Sequence, residues 1–96
     1  MTAVMQLLEA INDYNKELAE GYFGERFHVM YAGHVNGNIR VYLVDDTCRS
    51  RFIDWAGFPA WYLEPNADMW AYMIGRIRSM FSEKINIQQM IEEGKI

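Results

Sequence analysis

From Ala3 to Tyr22 apolar side chains recur every three or four positions, at Val4, Leu7, Leu8, Ile11, Tyr14, Leu18 and Tyr22. At about 100° per residue these positions gather on one side, so the spacing predicts an amphipathic helix. Thr2 is placed to cap its start, and Gly21 or Gly24 to stop it. The opposite side collects Glu9, Asp13, Glu17 and Glu20 within about 80° of one another. The period then drops to two in R-F-H-V-M-Y-A-G-H-V-N-G-N-I-R-V-Y-L-V-D-D, Arg26 to Asp46. Asn36-Gly37 suits a type I′ turn, whose central residues both need positive φ, so these runs predict a β-hairpin. With a two-residue loop and unbroken pairing, Val35 faces Asn38. Met30, Ala32, Ile39, Val41 and Leu43 then share one face, and Phe27, Val29, Tyr31, Tyr42 and Val44 the other. Both faces are apolar enough to need cover, one by a helix and the second by the aromatic segment or a partner.

Arg49 to Trp55 alternates again and predicts a third, edge-like strand, ended by Gly57-Phe58-Pro59. Pro65 suits the first turn of a second helix, and helical spacing from Met69 to Phe81 carries it from about Pro65 to Phe81. From Ser82, Asn86 with Gln89 imitates a capping box and Gly94 offers a stop, which predicts a short terminal helix. The expectation is an α+β domain spanning 1–96: an N-terminal helix, an antiparallel β-hairpin with a third strand, then one long and one short helix.

Charge adds a polarity to that picture. The net charge is −4, and residues 1–25 hold all of it, as Glu9, Asp13, Glu17, Glu20 and Glu25 against Lys16. A protein that neutralises phosphates carries a clustered basic excess, so direct nucleic-acid binding is not expected; a basic protein partner is. Cys48 is the single cysteine and has no internal disulfide partner. With no run near ~18 apolar residues and no basic n-region, a cytoplasmic protein is expected, with no membrane contact.

Candidate chemistry is sparse. In the unbroken register His28 pairs with Asp45, a combination that can act as a base or hold a metal, but His34 lies ~20 Å further along the strand and cannot share one ion with His28. Arg49 and Arg51 beside Cys48 can activate a thiol, yet no base or oxyanion site accompanies it. Asp45, Asp46, Asp54, Glu64 and Asp68 lack calcium-loop spacing. No catalytic set, metal site or cofactor is therefore expected. Carboxylates four apart on a helix stand about 6 Å from each other, comparable to successive phosphates of a nucleic-acid strand, so Glu9, Asp13, Glu17 and Glu20 form a candidate contact for a basic channel. D-W-A-G-F-P-A-W-Y-L-E-P-N-A-D-M-W, Asp54 to Trp70, holds all three Trp residues. Trp55 and Trp70 are expected inward, with Trp61 or Tyr62 more exposed, which makes Trp61, Tyr62 and Glu64 candidate contacts.

The order helix, three strands, helix over residues 3–81 resembles a double-stranded-RNA-binding domain. Asn66-Ala67-Asp68-Met69-Trp70 stands where that family carries a lysine cluster, so RNA binding is not implied. Size, acidity and element order also resemble small phage-encoded anti-defence proteins, including anti-CRISPR proteins, which implies an inhibitor that occupies the nucleic-acid site of an effector. The leading expectation is a non-enzymatic protein-binding module acting through its acidic helix face and aromatic loop. The alternatives are a small enzyme or ligand-binding domain with a pocket near His28, Asp45 and Cys48, and a structural homo-oligomer whose second sheet face is buried by symmetry.

Overall fold

The computed structural model describes residues 2–48 and 51–95. Helix α1 runs Ala3–Ala19 and is capped by Thr2, whose hydroxyl accepts the Met5 amide at 3.2 Å. Its apolar stripe buries Leu7, Ile11 and Tyr14. Strands β1 (Phe27–Val35), β2 (Asn38–Asp45) and β3 (Arg51–Pro59) form an antiparallel sheet in the order β1-β2-β3. Asn36 and Gly37 take φ of 51° and 77°, the left-handed pair that a tight hairpin turn requires. Helix α2 runs Trp70–Glu92. The two helical segments expected after Pro65 are both helical and join without a break; the start is displaced to Trp70, because residues 65–67 form a turn and Asp68 adopts a φ of 48°. Gly94 at φ 74° ends α2: its amide reaches the Ile91 carbonyl at 3.1 Å and that of Lys95 reaches Met90 at 2.9 Å, a Schellman closure.

The architecture is α+β, with both helices on one face of the sheet. Leu7, Ile11 and Tyr14 of α1 and Met73, Ile77, Phe81 and Ile85 of α2 meet Phe27, Val29, Ile39, Val41, Leu43, Ala56 and Phe58 in one hydrophobic cluster. The α2 residues repeat every four positions, so a single row along the helix fills the space between α1 and the sheet. Each such side chain stabilises the fold by roughly 1.5–3 kcal/mol through burial. No helix among the described residues is long and apolar enough to cross a membrane.

Two bulges correct the unbroken register. Pairing runs Val35 with Asn38 and Gly33 with Arg40, then steps to Tyr31 with Val41, so Ala32 is an extra residue. Gly33, at φ 80°, supplies the left-handed geometry of the step. The side chains of β1 beyond it therefore change face: Phe27, Val29 and Tyr31 point to the core with Val41 and Leu43, while Met30 points away with Tyr42. On β3, Leu43 pairs with Asp54 but Val44 with Phe52, so Ile53 is the extra residue. Strand β3 also passes through Gly57 and Phe58 to Pro59 rather than ending before them. Pro59 is tolerated because it closes an edge strand. The expected strand start at Arg49 lies outside the described residues.

Candidate interaction surfaces

Three surfaces and one polar knot make up the candidate sites. Along α1, Glu9, Asp13, Glu17 and Glu20 are all exposed, as the helical period requires. Arg78 of α2 reaches across to pair with Glu17, and its guanidinium lies 4.9 Å from the centre of the Tyr14 ring. Tyr14 in turn bonds Ser82 of α2 at 2.6 Å, and burial pushes its phenol above the ordinary tyrosine range. Among the described residues Glu9, Asp13 and Glu20 form no ion pair. Half-buried Trp70 packs against the core as expected, and with Gln6, Glu9, Ala10 and Asp13 it lines a shallow cleft of about 250 Å³. The tertiary fold thus sets an indole beside two unpaired carboxylates that lie some sixty residues away in sequence.

The aromatic segment divides. Phe58 belongs to the core, and Trp61 is 54% exposed. Tyr62 is half-buried, with ring centres 4.6 Å from Trp61, 6.2 Å from Phe58 and 6.1 Å from Tyr72. Tyr62 is therefore a bridge between core and surface, whereas Trp61, Tyr72 and Glu64 meet solvent.

Trp55 departs from expectation. The bulge at Ile53 and the pairing of Trp55 with Tyr42 turn the indole away from the helices, where it is 52% exposed. With Met30, Tyr42, Val44 and Phe52 it forms a sheet face that no helix among the described residues covers. Tyr42 and Phe52 stack across strands with ring centres 4.6 Å apart, and the Arg40 guanidinium lies 4.7 Å from the Trp55 ring centre. Gly57 matters here, since a Cβ at that position would stand 3.0 Å from Cζ3 of Trp55. Sequence reasoning missed this surface by taking Trp55 as core and by counting β1 without its bulge; for Met30 the signal within reach was Gly33, a residue that marks bulges in strands.

The expected His28–Asp45 pair is not formed. The bulge at Ala32 places Val44 opposite His28 and Phe27 opposite Asp45. His28 Nδ1 instead meets Asp46 Oδ2 at 3.0 Å in a solvent-facing pair. Asp45, only 6% exposed, accepts two bonds from Arg26 at 3.1 Å, and a hydroxyl and an amide from Thr47 at 2.7 and 3.0 Å. The Arg26 fork holds the Asp45 carboxyl down at about 2, with the Thr47 bonds assisting against burial. Arg26 also bonds Glu92 at 2.8 Å and lies over the rings of Phe23 and Phe27. This fully bonded cluster fastens the end of β2 to the last turn of α2, a structural role. The side chain of Cys48 and all of Arg49 lie outside the described residues. Among the described residues no group of three or more His, Cys, Asp and Glu side chains is arranged to hold a metal ion. Comparison with family models, with curated proteins and with solved structures returns no match, so the surfaces above carry the functional reading by themselves.

Proposed function

We propose that the chain is a non-enzymatic protein-binding module that acts stoichiometrically on a partner presenting a basic groove, of the kind a CRISPR-type or other nucleic-acid-handling complex uses to hold its strand. Glu9, Asp13, Glu17 and Glu20 make the contact, with Trp70 beside them and Trp61, Tyr62 and Glu64 as a second contact. The observation that supports this reading is the row of exposed carboxylates on α1, three of them without an ion pair among the described residues. Glu9, Asp13 and Glu17 stand four positions and about 6 Å apart along the helix, an interval comparable to that between successive phosphates of a nucleic-acid strand, and Glu20 follows after three. Such a contact steers association and weakens with salt.

The test compares the intact protein with a Glu9→Gln, Asp13→Gln, Glu17→Gln, Glu20→Gln variant in capture of a partner, followed by displacement with single-stranded DNA. The proposal expects a captured partner that single-stranded DNA releases and that the variant binds at least tenfold more weakly. Equal affinity of the two proteins, or capture indifferent to the competing strand, overturns it.

A further inference from the structure

The open face of the sheet asks for an occupant, and we infer that it is a second copy of this chain: two sheets pack face to face through Met30, Tyr42, Phe52 and Trp55, giving a helix, sheet, sheet, helix sandwich. This inference stands apart from the acidic face of α1, which belongs to the helical layer.

Three observations select this occupant. The first is area. Three strands about 4.8 Å apart and up to nine residues long at ~3.3 Å each give roughly 400 Å² of flat footprint per copy. Two copies reach ~800 Å² before side-chain relief is counted, and that relief is large here because Phe52 and Trp55 are each about half exposed. The footprint alone lies below the ~1,200 Å² at which standard specific interfaces begin, which fits a weak, reversible dimer rather than an obligate one. The second is charge. Arg40 lies off-centre, near the Asn36-Gly37 end of the face, and is already stacked on Trp55, while His28 and Asp46 at the opposite rim are paired with each other. Two identical faces therefore meet without a row of like charges, which a strongly acidic or basic face would not allow. The third is the state of the edges. Strand β1 carries the bulge at Ala32, and β3 carries the bulge at Ile53 and ends in Pro59, three features that oppose strand addition at either edge. Association is left to the face.

A nucleic-acid strand is the competing occupant, since aromatic sheet faces can stack bases. Here Tyr42 and Phe52 spend a ring face on each other, and Arg40 occupies a face of Trp55. The acidic net charge disfavours it further.

Sedimentation of the full chain across a concentration series, from micromolar to millimolar, tests the proposal. The expected result is a rise from the 11.3 kDa monomer to twice that mass. Trp55→Glu and, separately, Phe52→Lys should raise the dissociation constant at least tenfold while circular dichroism stays unchanged; Trp61→Ala, which alters an exposed ring off this face, should leave it unchanged. Should both face variants unfold, backbone amide shifts of the wild-type chain across the same series decide: changes confined to the three strands support the dimer. A monomer throughout the series overturns the proposal. So does a dimer indifferent to both face variants, a dimer whose concentration-dependent shifts lie elsewhere, or a monomer that binds a single-stranded oligonucleotide with perturbation of β2 and β3.

Discussion

The sheet has two faces of similar apolar content and opposite fate. On the inner face Val29, Ile39, Val41, Leu43, Ala56 and Phe58 are buried beneath α1 and α2. On the outer face Met30, Phe52 and Trp55 remain exposed, while Val44 is buried. The difference lies in shape more than in hydrophobicity. Five of those six inner positions are aliphatic, and a row of α2 side chains seats on them. Outer positions are occupied by rings that lean on one another and on Arg40. An apolar pattern alone thus marks a face as adhesive without saying whether the chain itself will cover it.

The contrast is broken most forcefully from the inside. Phe81→Ala removes a fully buried ring from beneath α2 and is expected to cost about 3–5 kcal/mol in chemical denaturation. Trp55→Ala, although it deletes a larger side chain, is expected to cost less than ~1 kcal/mol in the monomer, since half of the ring is already in water. Equal losses at the two positions would mean that the outer face is not open.

Acid probes the rim of the inner face. Asp45 is held at about 2 by Arg26 and Thr47, below its ordinary value of 3.8. A depressed carboxyl contributes stability that is complete above the unfolded value and is lost as pH falls through the folded one. The contribution of about 2 kcal/mol should therefore disappear between roughly pH 4 and pH 2. A urea titration of the wild type should show that loss, and the same titration of Asp45→Asn should lack this component. A variant as acid-sensitive as the wild type would remove Asp45 from the account.

The gentlest test sharpens the outer face itself. Gly57→Ala puts a methyl group 3.0 Å from Cζ3 of Trp55, so the indole must shift and its contact with Arg40 weakens. A stability change under ~1 kcal/mol is expected, together with a change in Trp fluorescence. An unaltered spectrum would mean that the ring does not rest on Gly57.

Much of this fold was legible in the chain. The three-and-four spacing from Val4 to Leu18 leads to α1, Thr2 caps it as expected, and Asn36-Gly37 turns the hairpin. The allocation of faces was not legible, because pairing outward from Asn36-Gly37 is correct only as far as Gly33. One extra residue at Ala32 reverses every side chain of β1 beyond it. Trp55 was misplaced for a related reason: alternation counted through β3 cannot register a bulge at Ile53. Gly57 and Pro59 suggested a break where an edge strand tolerates both. The acidic row on α1 was readable from helical spacing. The approach of Trp70 to Glu9 and Asp13 depends on how α2 crosses α1, which no local pattern encodes.

Arg26 and Tyr14 have a consequence for the order in which the chain can assemble. The partner of Tyr14 at Ser82 and the partner of Arg26 at Glu92 lie 68 and 66 positions downstream. Neither bond can close until the chain has emerged from the ribosome as far as Ser82 and Glu92. Until then α1 and the sheet have no Met73, Ile77, Phe81 or Ile85 to cover them. Closure of the core thus waits for the arrival of α2, and a nascent chain stalled before Trp70 would present sheet surface that α2 otherwise covers to whatever chaperone is near.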